Sequence, residues 1–134
     1  MVKFEGTYKH DKDDNLEAVF AKMGMNFFIR KLAARSKPTV DIHSNDDSWT
    51  ITTTLPIKTL TWNFKMGQSV AVDGPEGLIE SVFTLNGDTM LQTPVDLAND
   101  KAILIERLFT EEGMVQTMTH KPSGTVAKRW FVRA

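Results

Sequence analysis

The chain has 134 residues, no cysteine, and 16 Lys and Arg against 17 Asp and Glu, a net charge near −1. One domain spanning 1–134 suits this length, and the composition excludes a disulfide framework, thiolate chemistry and a strongly basic nucleic-acid-binding or membrane-stacking protein. Neither the opening Met1-Val2-Lys3-Phe4-Glu5-Gly6 nor any later stretch carries a signal-peptide core or the roughly 18 apolar residues of a membrane span, so a cytoplasmic monomer without a nucleic-acid partner is expected.

A short strand is predicted over 4–10. Asp13 or Asp14 then caps a helix with Leu16, Val19, Phe20 and Met23 at helical spacing, and Gly24 ends it. Asn26 offers a second cap to a helix over 27–35, apolar on one side and basic on the other, which stops before Lys37-Pro38. This helical cap, about 14–36, is too short to stand alone and needs a sheet beneath it. Strands follow near 39–43, 48–55, 59–65, 69–72, 78–85, 90–94, 102–109, 114–120 and 125–133, punctuated by turn residues such as Met66-Gly67, Asn86-Gly87-Asp88 and Pro122-Ser123-Gly124. A long meander of short antiparallel strands predicts an all-β closed barrel, because closure removes exposed edges.

Alternation places two arginines on apolar faces. Arg107 shares a face with Ile103, Ile105 and Phe109, and Arg129 with Ala127 and Phe131. An unpaired buried cation costs several kcal/mol, so each needs an anion: a protein carboxylate such as Glu76, Glu80 or Glu106, or the acid group of a ligand. Lys128 has the opposite parity and belongs to a solvated face. Trp49, Ile51, Thr53 and Leu55 form one face of their strand, and Leu60, Trp62, Phe64 and Met66 one face of the next; these serve equally as core or cavity wall. Gln116 and Met118 join the arginines and Phe131 on the last hairpin, and such a mixed interior suits a ligand cavity.

The stretches Phe4-Glu5-Gly6-Thr7-Tyr8-Lys9, Met23-Gly24-Met25, Arg30-Lys31, Lys37-Pro38, Asn63-Phe64-Lys65-Met66-Gly67 and Arg129-Trp130-Phe131-Val132-Arg133, in this order, resemble the intracellular lipid-binding proteins, which are the fatty-acid-binding and cellular retinoid-binding proteins. The resemblance implies a ten-stranded, slightly open, up-and-down β-barrel (a β-clam of lipocalin-like, calycin architecture) capped by a helix-turn-helix. It also implies carriage of long-chain fatty acids or similar hydrophobic carboxylates, with retinoic acid as the alternative ligand. Arg107 matches the family's late-strand arginine, and Arg129 with Phe131 its last-strand Arg-x-Tyr pair. Phe131 lacks the tyrosine hydroxyl, which leaves the arginines to hold the carboxylate with help from water or Gln116. The family's portal maps near 28–34, 55–58 and 73–77. Cavity and portal positions are then Phe20, Phe28, Ala33, Trp49, Thr53, Leu55, Ile57, Lys58, Leu60, Trp62 and Met118.

Arg30, Lys31 and Arg35 could meet anionic membranes, and a docking or regulatory protein is the reading from another class. His10, His43 and His120 are scattered, and only Asp41 and His43 form a same-face pair. With no zinc spacing, nucleophile elbow or phosphate loop, no enzyme activity, metal or cofactor is expected.

Overall fold

Short alternating segments joined by tight turns build one antiparallel sheet, and the only strongly helical segment folds over one end of it. The computed structural model describes residues 3–56, 58–74 and 77–134. Its elements are β1 (Gly6–Asp14), α1 (Leu16–Lys22), α2 (Phe27–Arg35), β2 (Thr39–Asn45), β3 (Ser48–Thr54), β4 (Thr59–Lys65), β5 (Ser69–Gly74), β6 (Gly77–Asn86), β7 (Thr89–Pro94), β8 (Leu104–Phe109), β9 (Gly113–His120) and β10 (Thr125–Arg133). The ten described strands lie in the order β4-β3-β2-β1-β10-β9-β8-β7-β6-β5, so the first and last strands pair and the sheet curls into a helix-capped barrel. The expected full closure fails in one place, since β4 and β5 are the two ends of the sheet. Side chains bridge this opening where hydrogen bonds do not: Phe64 of β4 stacks on Phe83 of β6 at 3.7 Å. A cleft of about 290 Å³ remains outside the stack, lined by Asn63, Lys65, Gln68 and Ser69 among others.

The helical cap is set by local chemistry. The Asn26 side chain accepts a hydrogen bond from Ile29 N–H at 2.9 Å and starts α2 as predicted. The cap of α1 is Asn15 rather than Asp13 or Asp14: Asn15 adopts φ 61°, makes no side-chain cap bond, and donates its amide to the Val126 carbonyl of β10 at 2.8 Å. α1 ends in a Schellman turn. Gly24 at φ 82° donates to the Ala21 carbonyl, Met25 to that of Phe20, and Lys101 Nζ caps the Met23 carbonyl at 2.8 Å. Leu16, Val19, Phe20, Met23 and Met25 are buried against Ile103, Ile105, Met118 and Ala127. At about 1.5 to 3 kcal/mol for each large side chain, this burial and not helix propensity holds α1 in place.

The other core fills the barrel below, around Tyr8, Ile42, Ile51, Phe64, Phe83, Phe109 and Phe131. β1 runs four residues beyond its predicted end and carries a bulge between His10 and Lys12, where its pairing with β10 shifts by one. The bulge reverses inside and outside, so His10 and Asp13 face inward while Lys12 turns out over the Trp130 ring.

Gly113 opens β9 where the chains approach too closely for any side chain: an added Cβ would lie 1.9 Å from the Phe131 carbonyl oxygen. Gly113→Ala is expected to destabilise the fold by about 2 kcal/mol or more, because backbone on both strands must shift. The midpoint of urea unfolding measures this, and an unchanged midpoint would contradict the close approach.

Candidate functional site

Met90 of β7 opposes Arg107 of β8, Arg107 opposes Gln116 of β9, Gln116 opposes Arg129 of β10, and Arg129 opposes Asp13 of β1. Directly opposed residues share a face, so these side chains form one row across the interior wall. Arg107 is 3% exposed and Arg129 7%. The parity reading is therefore right that both arginines face inward, but their surroundings differ.

Arg129 has a protein partner. Its Nε donates to Asp13 Oδ1 at 2.8 Å, and its Nη2 donates to the Ser36 carbonyl at 2.7 Å, just beyond the end of α2. None of the expected glutamates supplies this anion among the described residues. Glu80 is exposed and accepts from Ser69 Oγ, Glu106 is exposed, and Glu76 lies outside the described residues. Asp13 also accepts from His10 Nε2 at 2.9 Å. A carboxylate only accepts, so His10 donates from Nε2, and its Nδ1 is buried with no partner among the described residues. Burial pulls the Arg129 pKa down, and the Asp13 charge and hydrogen bond pull it back up.

Arg107 has no such relief. Its Nε and Nη1 are buried without a hydrogen-bond partner among the described residues, and the guanidinium lies over the Trp62 ring at 5.8 Å. Trp62 Nε1 and Gln92 Oε1 are buried and unpartnered in the same way. Burial pushes the Arg107 pKa down to about 10, so the group is still a cation at neutral pH. The unfolded chain, at the higher ordinary arginine value, holds its proton more tightly. The cost of the buried charge is therefore fully present at neutral pH, where both states carry the proton.

The remaining predicted positions divide into three groups. Gln116 is half-buried between the arginines, and Phe131 is buried edge-on to His10. Trp49, Thr53, Leu60 and Trp62 are half-buried on the inner faces of β3 and β4, where Thr53 opposes Leu60 and Ile51 opposes Trp62. Phe20 and Met118 belong to the packing under the cap, with Ala33 against it. Toward the rim, Leu55 N–H donates to the Lys58 carbonyl, Lys58 is exposed, Phe28 is 79% exposed, and Ile57 lies outside the described residues. His10, Asp13, Ser36 and Gln92 are functional candidates that the sequence reading missed. Only Gln92 left a trace, sharing parity with Met90 and Pro94.

A ten-stranded, helix-capped β-clam is the class of barrel that the resemblance implied. No protein-family model matches the sequence. A fatty acid-binding protein of Tyrophagus putrescentiae is 34% identical over 134 residues, covering 99% of each chain, and one of Clonorchis sinensis is 32% identical over 132 residues, covering 96% and 97%. A solved Schistosoma mansoni fatty acid-binding protein in complex with arachidonic acid superposes with a TM-score of 0.89 at 27% identity, covering 98% and 96% of the two chains. The chain belongs to the fatty acid-binding protein family.

The two arginines predict stability effects of opposite sign. Arg107→Met removes an uncompensated cation and is expected to stabilise the unliganded protein by about 1 to 3 kcal/mol, whereas Asp13→Asn strands Arg129 and is expected to cost about 2 to 3 kcal/mol. Parallel urea titrations decide this, and shifts of the same sign for both variants would contradict the assignment.

Proposed function

We propose that this protein binds and carries a long-chain fatty acid, or a similar hydrophobic carboxylate, inside the barrel with its acid group at Arg107. The observation that carries this reading is the buried guanidinium with two N–H positions unpaired among the described residues. A carboxylate supplies both the missing charge and the missing acceptors. Gln116 stands between Arg107 and Arg129, and Arg129, neutralised by Asp13, lends the head-group end of the site only a weaker field. The arachidonic acid complex of the Schistosoma mansoni relative supports the ligand class. The role is binding in the cytoplasm without turnover.

Magnitudes separate affinity from orientation. About fifteen buried methylenes at roughly 0.8 kcal/mol each could contribute up to about 12 kcal/mol before association costs of several kcal/mol. A charged hydrogen bond contributes about 1.5 to 3 kcal/mol. The tail sets the strength of binding, and Arg107 sets which end lies deep. Arg107→Gln is accordingly expected to weaken oleate about tenfold to a hundredfold while leaving methyl oleate nearly unchanged. Equal losses for acid and ester, measured by displacement of a fluorescent fatty acid, would refute the role.

The surface of α2 favours a second role, contact with membranes during ligand exchange. α2 buries none of its residues, and Phe28 and Leu32 are 79% and 64% exposed beside its basic side chains. Lys31 and Arg30 lie 2.6 and 3.5 Å from Glu17 of α1, which leaves Arg35 as the exposed basic residue of the three expected to meet lipid. Transfer of a fluorescent fatty acid to vesicles should speed up with anionic lipid content and slow with Phe28→Ser; insensitivity to both would exclude this contact.

A further inference from the structure

We propose that the Trp62 indole N–H is the second donor to the ligand's acid group, so that Arg107 and Trp62 together form its clamp. This rests on the fatty-acid reading above and assigns a positioning residue within it. Arg129 is taken up by Asp13 and the Ser36 carbonyl, and Phe131 has no hydroxyl, so β10 offers no free neutral donor beside its arginine. On the opposite wall, Trp62 Nε1 is buried without a hydrogen-bond partner among the described residues, although indole N–H groups normally find one when buried. The Arg107 guanidinium lies 5.8 Å from the Trp62 ring, which brings side chains of β4 and β8 together across the barrel.

The chemistry of the two groups is complementary. The indole face attracts the cation and eases its burial, while the N–H at the ring edge remains free. A carboxylate has two oxygens and about four lone-pair sites, so it can accept from the guanidinium and the indole at once. An ester or alcohol head group carries no full charge for Arg107 and gains less from both. Trp62 thus confers preference for the ionised acid as well as lining the tail's path.

Trp62→Phe keeps an aromatic ring at this position and removes the donor. It is expected to weaken oleate by about tenfold to a hundredfold and methyl oleate by no more than about twofold. Trp130→Phe, on the outer face, serves as the unaffected control. In 1H–15N spectra of the protein with its 3 tryptophans, the indole signal absent from Trp62→Phe should move downfield on addition of oleate and stay in place with methyl oleate. The same spectra report whether the variant is folded. Equal losses for acid and ester, or an indole signal indifferent to oleate, would overturn the clamp while leaving the Arg107 reading intact. Failure of the unaltered protein to bind oleate would overturn both.

Discussion

The Arg129–Asp13 ion pair joins the last strand to the first, and through the Ser36 carbonyl it reaches the end of α2. This one charged contact sits where the barrel closes on itself and where the helical cap returns to the sheet. It also determines how the interior divides its charge. With one carboxylate supplied by the chain, Arg129 becomes a structural group, and the uncompensated cation is left at Arg107. Had the carboxylate faced Arg107, the interior would hold its counter-ion already and an acid ligand would have to displace it.

The cost of that arrangement explains several features together. A cation 3% exposed and without an anion among the described residues costs stability, and the described surroundings soften this by polarisable or polar groups: the Trp62 face, Gln116 opposite in register, and Gln92 nearby on β7. The two hydrophobic clusters supply the stability that offsets it. One packs α1 onto β8, β9 and β10, and the other stacks Phe64 of β4 on Phe83 of β6 across the opening between β4 and β5. In the proposed complex, burial of the tail and relief of the strained charge favour binding at both ends of the ligand.

Local rules were read with good accuracy wherever they acted alone. Asn26 starts α2, Gly24 ends α1, and the alternation in β3, β4, β8 and β10 places the inward side chains, including both arginines, on the correct face. The missed partner of Arg129 has a local origin in β1. A bulge in β1 breaks the period of two, so Asp13, which by its spacing from Leu16 looks like a helix cap, turns inward as an ion partner instead. Its bond to Arg129 spans 116 positions of the chain. Of the glutamates expected to serve, Glu80 and Glu106 are exposed, away from both guanidinium groups.

The sequence by itself determined the class of structure: antiparallel strands, a short capped helical pair, a mixed interior and two inward arginines. These follow from periodicity and capping, which depend on neighbours a few residues away. Only the tertiary structure decided which arginine is satisfied, that Trp62 reaches Arg107 from the other wall, and that β4 and β5 stay apart, because each depends on distances between strands far apart in the chain. The register of a curled sheet sets those distances, and a single bulge in β1 is enough to turn Asp13 inward onto Arg129.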